Sequence, residues 1–600
     1  MNRISLKVVG AQGQGINSVG EICAKGLKRG GYCVFGYREY MSLIKGGHSS
    51  YQLDISPTEI RTTEEKIDIL ICFNHHGLEK NAHEVKDGGL ILHETADWKF
   101  SPAEQKSIEK RKVTVLYLPT DEILAKLKAK PILGNVLITS VVWALLGQEK
   151  ANLQDLVREQ FGHKGEKVLA ENFACIDAGF EYRAKQSAIK HLTLPKADKN
   201  WSKHLLITGS EAMGLGLIHA GCRFYAGYPM TPSSPLLTFI ADLQNETGMV
   251  VKQAEDEITA AQMVSGAMMM GTRAITATSG GGFDLMSETL SLNGILENPT
   301  VFVLAQRPGP ATGLPTWTAQ GDLLLAVNTA HGEFTRCVLS VSDSQDCFDL
   351  MPTAFNLAEE YQISVIVLTE KQIAEALYTQ TPFDQKKAKL SRGKLITDPK
   401  ALKKLKPADR YDLSAKDGIS PRWLPGSEAA TFAAQGDEHD PSGTVDETGP
   451  NTKAQFDKRL RKMNALKKTL PEPTLHQVES GKWKVESNDE KLDLLLVGWG
   501  STKGPVLDVL ETLIAQDPRL KAAYLHFTYL WPLKTELFSK LHAKVKKTVL
   551  IEGNAQGQLG MLLAQECGVM IKEKILKYDG RPFFYNELLE TIRNKIRETR

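Results

Sequence analysis

At 600 residues the chain exceeds what one hydrophobic core supports, so several domains are expected. Apolar residues make up 42% and charged residues 24%, an ordinary globular balance, and a net charge of +2 gives no argument for nucleic acid or a membrane surface as partner. The longest apolar run, Ile132 to Gly147, contains Asn135, Thr139 and Ser140 and is too short and too polar to span a bilayer. The N-terminus passes directly into a strand without a secretory signal, so a cytoplasmic location is expected. None of the eight cysteines forms a C-x-x-C pair, which leaves no zinc ribbon, no ferredoxin-type cluster and no metal site in the sequence; buried reduced thiols are expected instead.

Residues 4–9 read as a strand, followed by the turn Gly10-Ala-Gln-Gly-Gln-Gly15 and a helix from about Asn17. Free backbone N–H groups at such a junction suit an anion, which makes Gly10, Gly13 and Gly15 candidates for a phosphate; a tight turn that only packs helix on strand is the alternative. The G-x-x-G-x-G spacing departs from the dinucleotide fingerprint, and no acidic residue ends a second strand to take a ribose. Tyr37 to Ser50 reads as a loop with Lys45 and His48 flanking Gly46-Gly47. Further strands are predicted at 67–73, 89–93 and 113–117, and β/α alternation over residues 1–185 predicts a parallel sheet covered on both faces.

Residues 186–203 read as a linker. A second α/β unit, 204–383, has predicted strands near 224–227, 249–253, 273–278, 300–305, 336–341 and 363–369. Residues 384–488 form a basic connecting segment whose runs, such as Lys458-Arg-Leu-Arg-Lys462, are expected to be solvated. Residues 489–600 return to α/β alternation.

Within the second unit, four loops fall at strand ends, where open parallel sheets bind ligands. They are Ala226 to Ser234, Gln253 to Ala261, Thr278 to Asp284 and Gln306 to Thr316. Glu257 opens a helix expected to be buried nearly all round. The helix dipole favours an acid there, and a dry site would also suit an acid held against a heterocycle nitrogen. Arg307 enters Pro308-Gly-Pro310, a rigid turn that preorganises a guanidinium for a carboxylate, unless it serves an ion pair. Thr231 can offer a hydroxyl to the same anion, while Thr231, Ser233 and Ser234 can each serve instead to cap the following helix.

Together, Gly227-Tyr-Pro-Met-Thr-Pro-Ser-Ser234, Glu255-Asp-Glu257, Thr278-Ser-Gly-Gly-Gly282 and Gln306-Arg-Pro-Gly-Pro-Ala-Thr-Gly-Leu-Pro-Thr316 resemble the α subunit of 2-oxoacid:ferredoxin oxidoreductases. Gly10–Gly15 and Arg38–Ser50 resemble the family's γ domain, here placed ahead of α as is typical of the 2-oxoglutarate enzymes. The resemblance implies an α/β fold of several doubly wound, mostly parallel sheets. These are a γ-type domain (1–185), a pyrimidine-binding domain (204–383) and a transketolase C-terminal-like domain (489–600).

The resemblance also implies thiamine diphosphate, with Glu257 at N1′ of its aminopyrimidine ring and Tyr228, Pro229, Ser279 and Gly280 beside it. Thr231 and Arg307, with Thr316 nearby, match the binders of the substrate carboxylate. Lys45 and His48 are candidates for the cation that the far carboxylate of a dicarboxylate needs, and the Gly10–Gly15 turn for coenzyme A. The sequence holds no Gly-Asp-Gly followed by Asn to bind magnesium diphosphate, and no cysteine set. Mg2+ and a [4Fe–4S] cluster are therefore expected on a β subunit that shares the cofactor, with ferredoxin as electron partner and (αβ)2 as the assembly. Oxidation of 2-oxoglutarate with coenzyme A, or the reverse carboxylation, is the expected reaction. Pyruvate or branched-chain 2-oxoacids are the alternative substrates, and a non-catalytic nucleotide- or acyl-CoA-binding protein is the alternative class.

Overall fold

The computed structural model describes residues 3–43, 46–186, 194–479, 482–484 and 492–598. The chain divides into two compact units: Met1–Ile207 with Ala376–Pro382 and Phe584–Leu588, and Thr208–Glu375 with Phe383–Phe583 and Leu589–Arg600.

The first unit is built on an eight-stranded sheet. Its order is Thr114–Tyr117, Val85–His93, Ile67–Cys72, Ile4–Gln12, Gly46–Ser56, Cys33–Tyr40, Leu377–Gln380 and Leu205–Thr208. The first four are parallel, as the β/α alternation predicts. Gly46–Ser56 instead runs antiparallel to both Ile4–Gln12 and Cys33–Tyr40, so this sheet is mixed rather than parallel. The stretch Tyr37–Ser50, expected as a loop, supplies the end of one strand and the start of the next. Arg38, Glu39, Tyr40 and His48 are half-buried, so neither an apolar run nor a clean alternation marked the hairpin.

The strand Ile4–Gln12 continues through Gly10, which is therefore a strand residue and not part of the turn. The turn is Gly13–Gly15, with φ of 94° and 86°, a region open to glycine at no steric cost. Gln14 braces it: Oε1 accepts hydrogen bonds from the Ala11 amide (2.7 Å) and from Asn74 Nδ2 (3.1 Å). The helix Ile16–Arg29 follows with no side-chain cap. The apolar run near residue 140 forms the helix Gly134–Leu145, buried in this unit's core around Trp143. Among the described residues, no helix is long and apolar enough to cross a membrane.

The second unit holds two sheets. The seven-stranded sheet runs Tyr529–Trp531, Arg336–Ser340, Ser364–Glu370, Thr300–Gln306, Ala274–Thr278, Phe224–Gly227 and Val250–Gln253. All pairs are parallel except the first, where Tyr529–Trp531 lies antiparallel on Arg336–Ser340. The second sheet runs Lys482–Lys484, Thr474–Glu479, Ala522–Phe527, Leu494–Trp499, Lys547–Glu552 and Glu573–Leu576. One apolar cluster joins Phe302, Leu304, Ile366 and Leu368 of the first sheet to Leu495, Val497, Trp499 and Phe527 of the second. At about 25 cal/mol per Å2 of apolar surface removed from water, such a shared core holds the two sheets as one body.

The basic segment is not uniformly solvated. Lys458 and Lys462 lie four residues apart on one face of the helix Gly449–Thr469, and both are buried. Both form ion pairs with Glu297, itself 1% exposed. Arg410 closes the group by donating to the Leu296 and Glu297 carbonyls at 3.1 and 3.2 Å. The acid stands more than a hundred residues before the lysines, so local composition could not reveal the pairing. The run at Lys403 does lie exposed. All eight cysteines are free, and seven are buried.

Candidate active site

Four neighbouring strands of the seven-stranded sheet end on the same edge: Thr300–Gln306, Ala274–Thr278, Phe224–Gly227 and Val250–Gln253. The four loops singled out in the sequence leave these ends, so parallel topology gathers them.

Asp256 caps the helix Glu257–Met269, accepting from the Thr259 amide at 2.7 Å. The cap turns Glu257 inward as the first helical residue, 5% exposed, where the helix dipole favours its charge. Thr278 Oγ1 donates to Glu257 Oε1 over a long 3.5 Å. Gly282 packs against the same carboxylate: a Cβ there would lie 2.5 Å from Glu257 Oε1 and 2.0 Å from Thr278 Oγ1. No cation pairs with Glu257 among the described residues. Beside it, Ser279 is fully buried and its Oγ has no hydrogen-bond partner. A buried acid and a buried hydroxyl, both short of partners, mark a place built for a polar ligand. Tyr228 and Pro229 are exposed at the next strand end, and Gly280 is half-exposed.

The expectation that the Glu257 helix is buried nearly all round needs correction. Ala260, Ala261, Val264 and Met268 face the core, whereas Ile258 (48%) and Met270 (55%) are exposed. Apart from Gln262 its composition is apolar or small on both faces, so the sequence pattern alone could not show that one face is uncovered in this chain.

Arg307 leaves the strand Thr300–Gln306 and is 8% exposed. Its Nη1 donates to the Thr231 carbonyl at 2.7 Å, which fixes the side chain and, among the described residues, leaves the rest of the guanidinium fork unspent. The structure thus brings Thr231 and Arg307 together through the Thr231 backbone. Ser233 precedes the helix Ser234–Asp242 without a side-chain cap bond; its hydroxyl donates to the Met230 carbonyl instead. Thr316 is buried at 3% exposure further along the Arg307 loop.

One acid escaped the sequence reading. Asp322 is half-buried with its Oδ2 turned inside and without a hydrogen-bond partner, and burial pushes its carboxyl up to about 6; Asp284 adds to the rise and Arg307 opposes it. Its amide donates to Gln306 Oε1 at 3.0 Å, so the residue before Arg307 holds it in place. Gln320-Gly-Asp322 carries no motif that would have singled it out.

In the first unit, Lys45 lies outside the described residues. His48 is half-buried on Gly46–Ser56, with its ring edge-on to His76 at 5.8 Å. Burial lowers its pKa to about 4, with Lys80 and Lys7 adding to the effect and Glu39 opposing it. His48 is therefore a neutral hydrogen-bonding group near pH 7, not the cation expected of it.

Residues 215–458 match the model of the thiamine diphosphate-binding domain of pyruvate flavodoxin/ferredoxin oxidoreductases, and residues 5–182 match the pyruvate ferredoxin/flavodoxin oxidoreductase domain. Fold and site together define a thiamine-dependent oxidoreductase subunit. Among curated relatives, the 2-oxoacid:ferredoxin oxidoreductase α subunit of a Sulfolobus species is 30% identical, over 99% of this chain and 97% of its own length. That of Saccharolobus solfataricus is 31% identical, over 99% and 98%. The chain belongs to the α subunits of the 2-oxoacid:ferredoxin oxidoreductases. A solved 2-oxoglutarate:ferredoxin oxidoreductase from Magnetococcus marinus, with 2-oxoglutarate, coenzyme A and succinyl-CoA bound, superposes with a TM-score of 0.89 at 28% identity, covering 99% of this chain and 100% of that one.

Proposed function

We propose that this chain, with a β subunit, oxidises 2-oxoglutarate with coenzyme A to succinyl-CoA, CO2 and reduced ferredoxin in the cytoplasm, or runs the reaction in reverse. The observation that carries the reading is Glu257: a buried acid without a cation, set at the same sheet edge as an Arg307 whose fork is largely unspent. The group that fits is an aminopyrimidine. The Glu257 carboxylate offers one of its ring nitrogens a partner, the orphaned Ser279 hydroxyl offers a second polar contact, and the missing Cβ at Gly282 keeps the wall flat against the acid.

Thiamine diphosphate supplies the nucleophilic carbon and the electron sink that decarboxylation of a 2-oxoacid requires. The chain's own residues position and protonate. Glu257 holds or releases a proton at the carboxyl oxygen facing the ring nitrogen, in a site dry enough to strengthen that hydrogen bond. Thr278 and Gly282 hold the carboxylate in place. Tyr228, Pro229 and Gly280 flank the cofactor. Arg307, preset by the Thr231 carbonyl, meets the carboxylate next to the 2-oxo carbon, and Thr231 and Thr316 shape that end. Lys45 supplies the charge for the far carboxylate and His48 a neutral hydrogen bond. The Gly13–Gly15 turn, at the uncapped start of Ile16–Arg29, receives an anion of coenzyme A. Mg2+ and a [4Fe–4S] cluster on the β subunit, and an (αβ)2 assembly, complete the proposal.

The test is co-expression with the β subunit and measurement of kcat/KM for 2-oxoglutarate, pyruvate and 3-methyl-2-oxobutanoate. Preference for 2-oxoglutarate, with no activity from the isolated chain, is the expected result. Preference for pyruvate overturns the substrate assignment, and activity from the isolated chain overturns the shared site.

A further inference from the structure

We infer that Asp322 is a positioning residue for Arg307: a second acid at the keto-acid pocket that competes with the incoming carboxylate for the guanidinium and takes up a proton from solvent when that carboxylate binds. The inference rests on Arg307 receiving the substrate carboxylate, as proposed above.

The geometry is local and rigid. Gln306, 1% exposed, accepts the Asp322 amide hydrogen bond through Oε1 and donates through Nε2 to the Thr369 carbonyl at 3.3 Å. The residue that fixes Asp322 is therefore the chain neighbour of Arg307. The Asp322 carboxylate stands over the Ser279–Gly280 turn, where a Cβ on Gly280 would come 2.8 Å from Oδ2 and 3.1 Å from Oδ1. Oδ2 is buried and has no hydrogen-bond partner. Asp322 and Arg307 form no direct ion pair among the described residues, and the Gln306 side chain that holds Asp322 brings the acid to the strand end that Arg307 leaves, where each charge bears on the other. Among the described residues, the charges that bear on Asp322 are Arg307, at the end of Thr300–Gln306, and Asp284, on the helix Gly280–Leu285.

An acid left this short of partners costs free energy when ionised. The folded protein relieves that cost either by protonating it or by drawing Arg307 towards it. A substrate carboxylate binding at Arg307 takes the guanidinium and adds a like charge, and both effects favour protonation of Asp322. The sign follows: with Asp322 near 6, the fork is free below that pH, and carboxylate binding weakens as pH rises through it.

The test uses the complex with the β subunit, loaded with thiamine diphosphate, and oxamate, an unreactive isostere of a 2-oxoacid. Calorimetry in two buffers of different ionisation heat, between about pH 5.5 and pH 8, reads affinity and proton uptake together. The wild type is expected to bind more weakly as pH rises and to take up part of a proton near neutrality. Asp322→Asn is expected to bind at least about threefold more tightly near pH 7.5, with a flat pH profile and no uptake. Asp322→Ser, smaller and equally uncharged, must behave the same way, and Asp322→Glu must restore the pH dependence. Where oxamate gives no heat with the wild type, the pH profile of kcat/KM for 2-oxoglutarate in the same variants decides. An unchanged profile and uptake in Asp322→Asn overturns the inference while leaving Arg307 in place. Undiminished binding by Arg307→Met instead overturns the carboxylate assignment beneath it.

Discussion

Glu257 and Glu297 are both buried acids of the same unit, and they have opposite surroundings. Glu297 meets two ammonium groups and Arg410 stands beside it. Burial alone would raise its carboxyl, but Lys458, Lys462 and Arg410 outweigh that and hold it well below the ordinary carboxylate range. Glu359 is another acid paired from within the chain, with Arg273, Arg392 and Arg422 at 2.8, 2.8 and 3.4 Å. Glu257 has one long hydroxyl contact and only a glycine, Gly282, packed against it. A buried charge must be compensated. Where the chain itself compensates it, the charge fastens segments together; where it does not, the charge awaits a partner from outside.

The comparison breaks most sharply at Glu257. Glu257→Gln should lower kcat of the reconstituted complex by roughly 10²–10⁴-fold, the usual weight of a positioned proton-transfer group. The melting temperature should hold or rise, because a buried charge short of partners has been removed. A fall in both together would make Glu257 a structural residue like Glu297.

Glu297→Gln is the reciprocal experiment. It leaves Lys458 and Lys462 buried against each other, a loss of about 3–5 kcal/mol in urea unfolding, with activity per folded molecule retained. The pH dependence has a fixed sign. A carboxylate whose folded pKa lies below its unfolded value stabilises above the unfolded value, and that stabilisation is lost as pH falls towards the folded one. The wild type should therefore lose stability below about pH 4.3 more steeply than Glu297→Gln. Equal slopes would mean that the lysines do not hold this acid ionised.

Arg307→Lys comes next. The ammonium keeps the charge and loses the fork, so the Thr231 carbonyl and the substrate carboxylate must share a point charge. KM for the 2-oxoacid should rise by roughly 10–100-fold, the equivalent of one charge-assisted hydrogen bond, with a smaller change in kcat. An unchanged KM would move the carboxylate site elsewhere.

The same contrast separates what could be read in the sequence from what could not. The four strand-end loops were legible because Pro, Gly, hydroxyl and charge clustered at intervals that only β/α alternation explains, and parallel order brings such ends together. Glu257 stood out as an acid opening an apolar helix. The Glu297 group was invisible, because a lysine run reads the same whether or not an acid more than a hundred residues away meets it. Asp322 was invisible for a related reason. Its importance comes from Gln306 and Gly280, which reach it from two other strand ends. The hairpin from Cys33 to Ser56 was not legible: Tyr37 to Ser50 reads as a loop, because Arg38 to His48 lacks the alternation that marks a strand.

The smallest effect on the chain itself is expected on the uncovered face of the Glu257 helix. Ile258, Gln262, Gly266 and Met270 follow one another at four-residue spacing, and all four are exposed. Leu285 (49%) and Val250 (60%) are also exposed nearby in the sequence. A face of the helix that carries the candidate acid, with Ile258 and Met270 uncovered at its two ends, is where a subunit completing the site would sit. Ile258→Asp should change the unfolding free energy of the isolated chain by no more than about 0.5 kcal/mol, as surface substitutions do. A carboxylate at the centre of a partner interface would have to be desolvated without a counter-charge, so the association constant with the β subunit should fall at least about tenfold. Titration of labelled β subunit into the two forms measures this. If affinity is unchanged, the partner covers the Glu257 pocket from another side, and the exposed face of this helix has no part in completing the site.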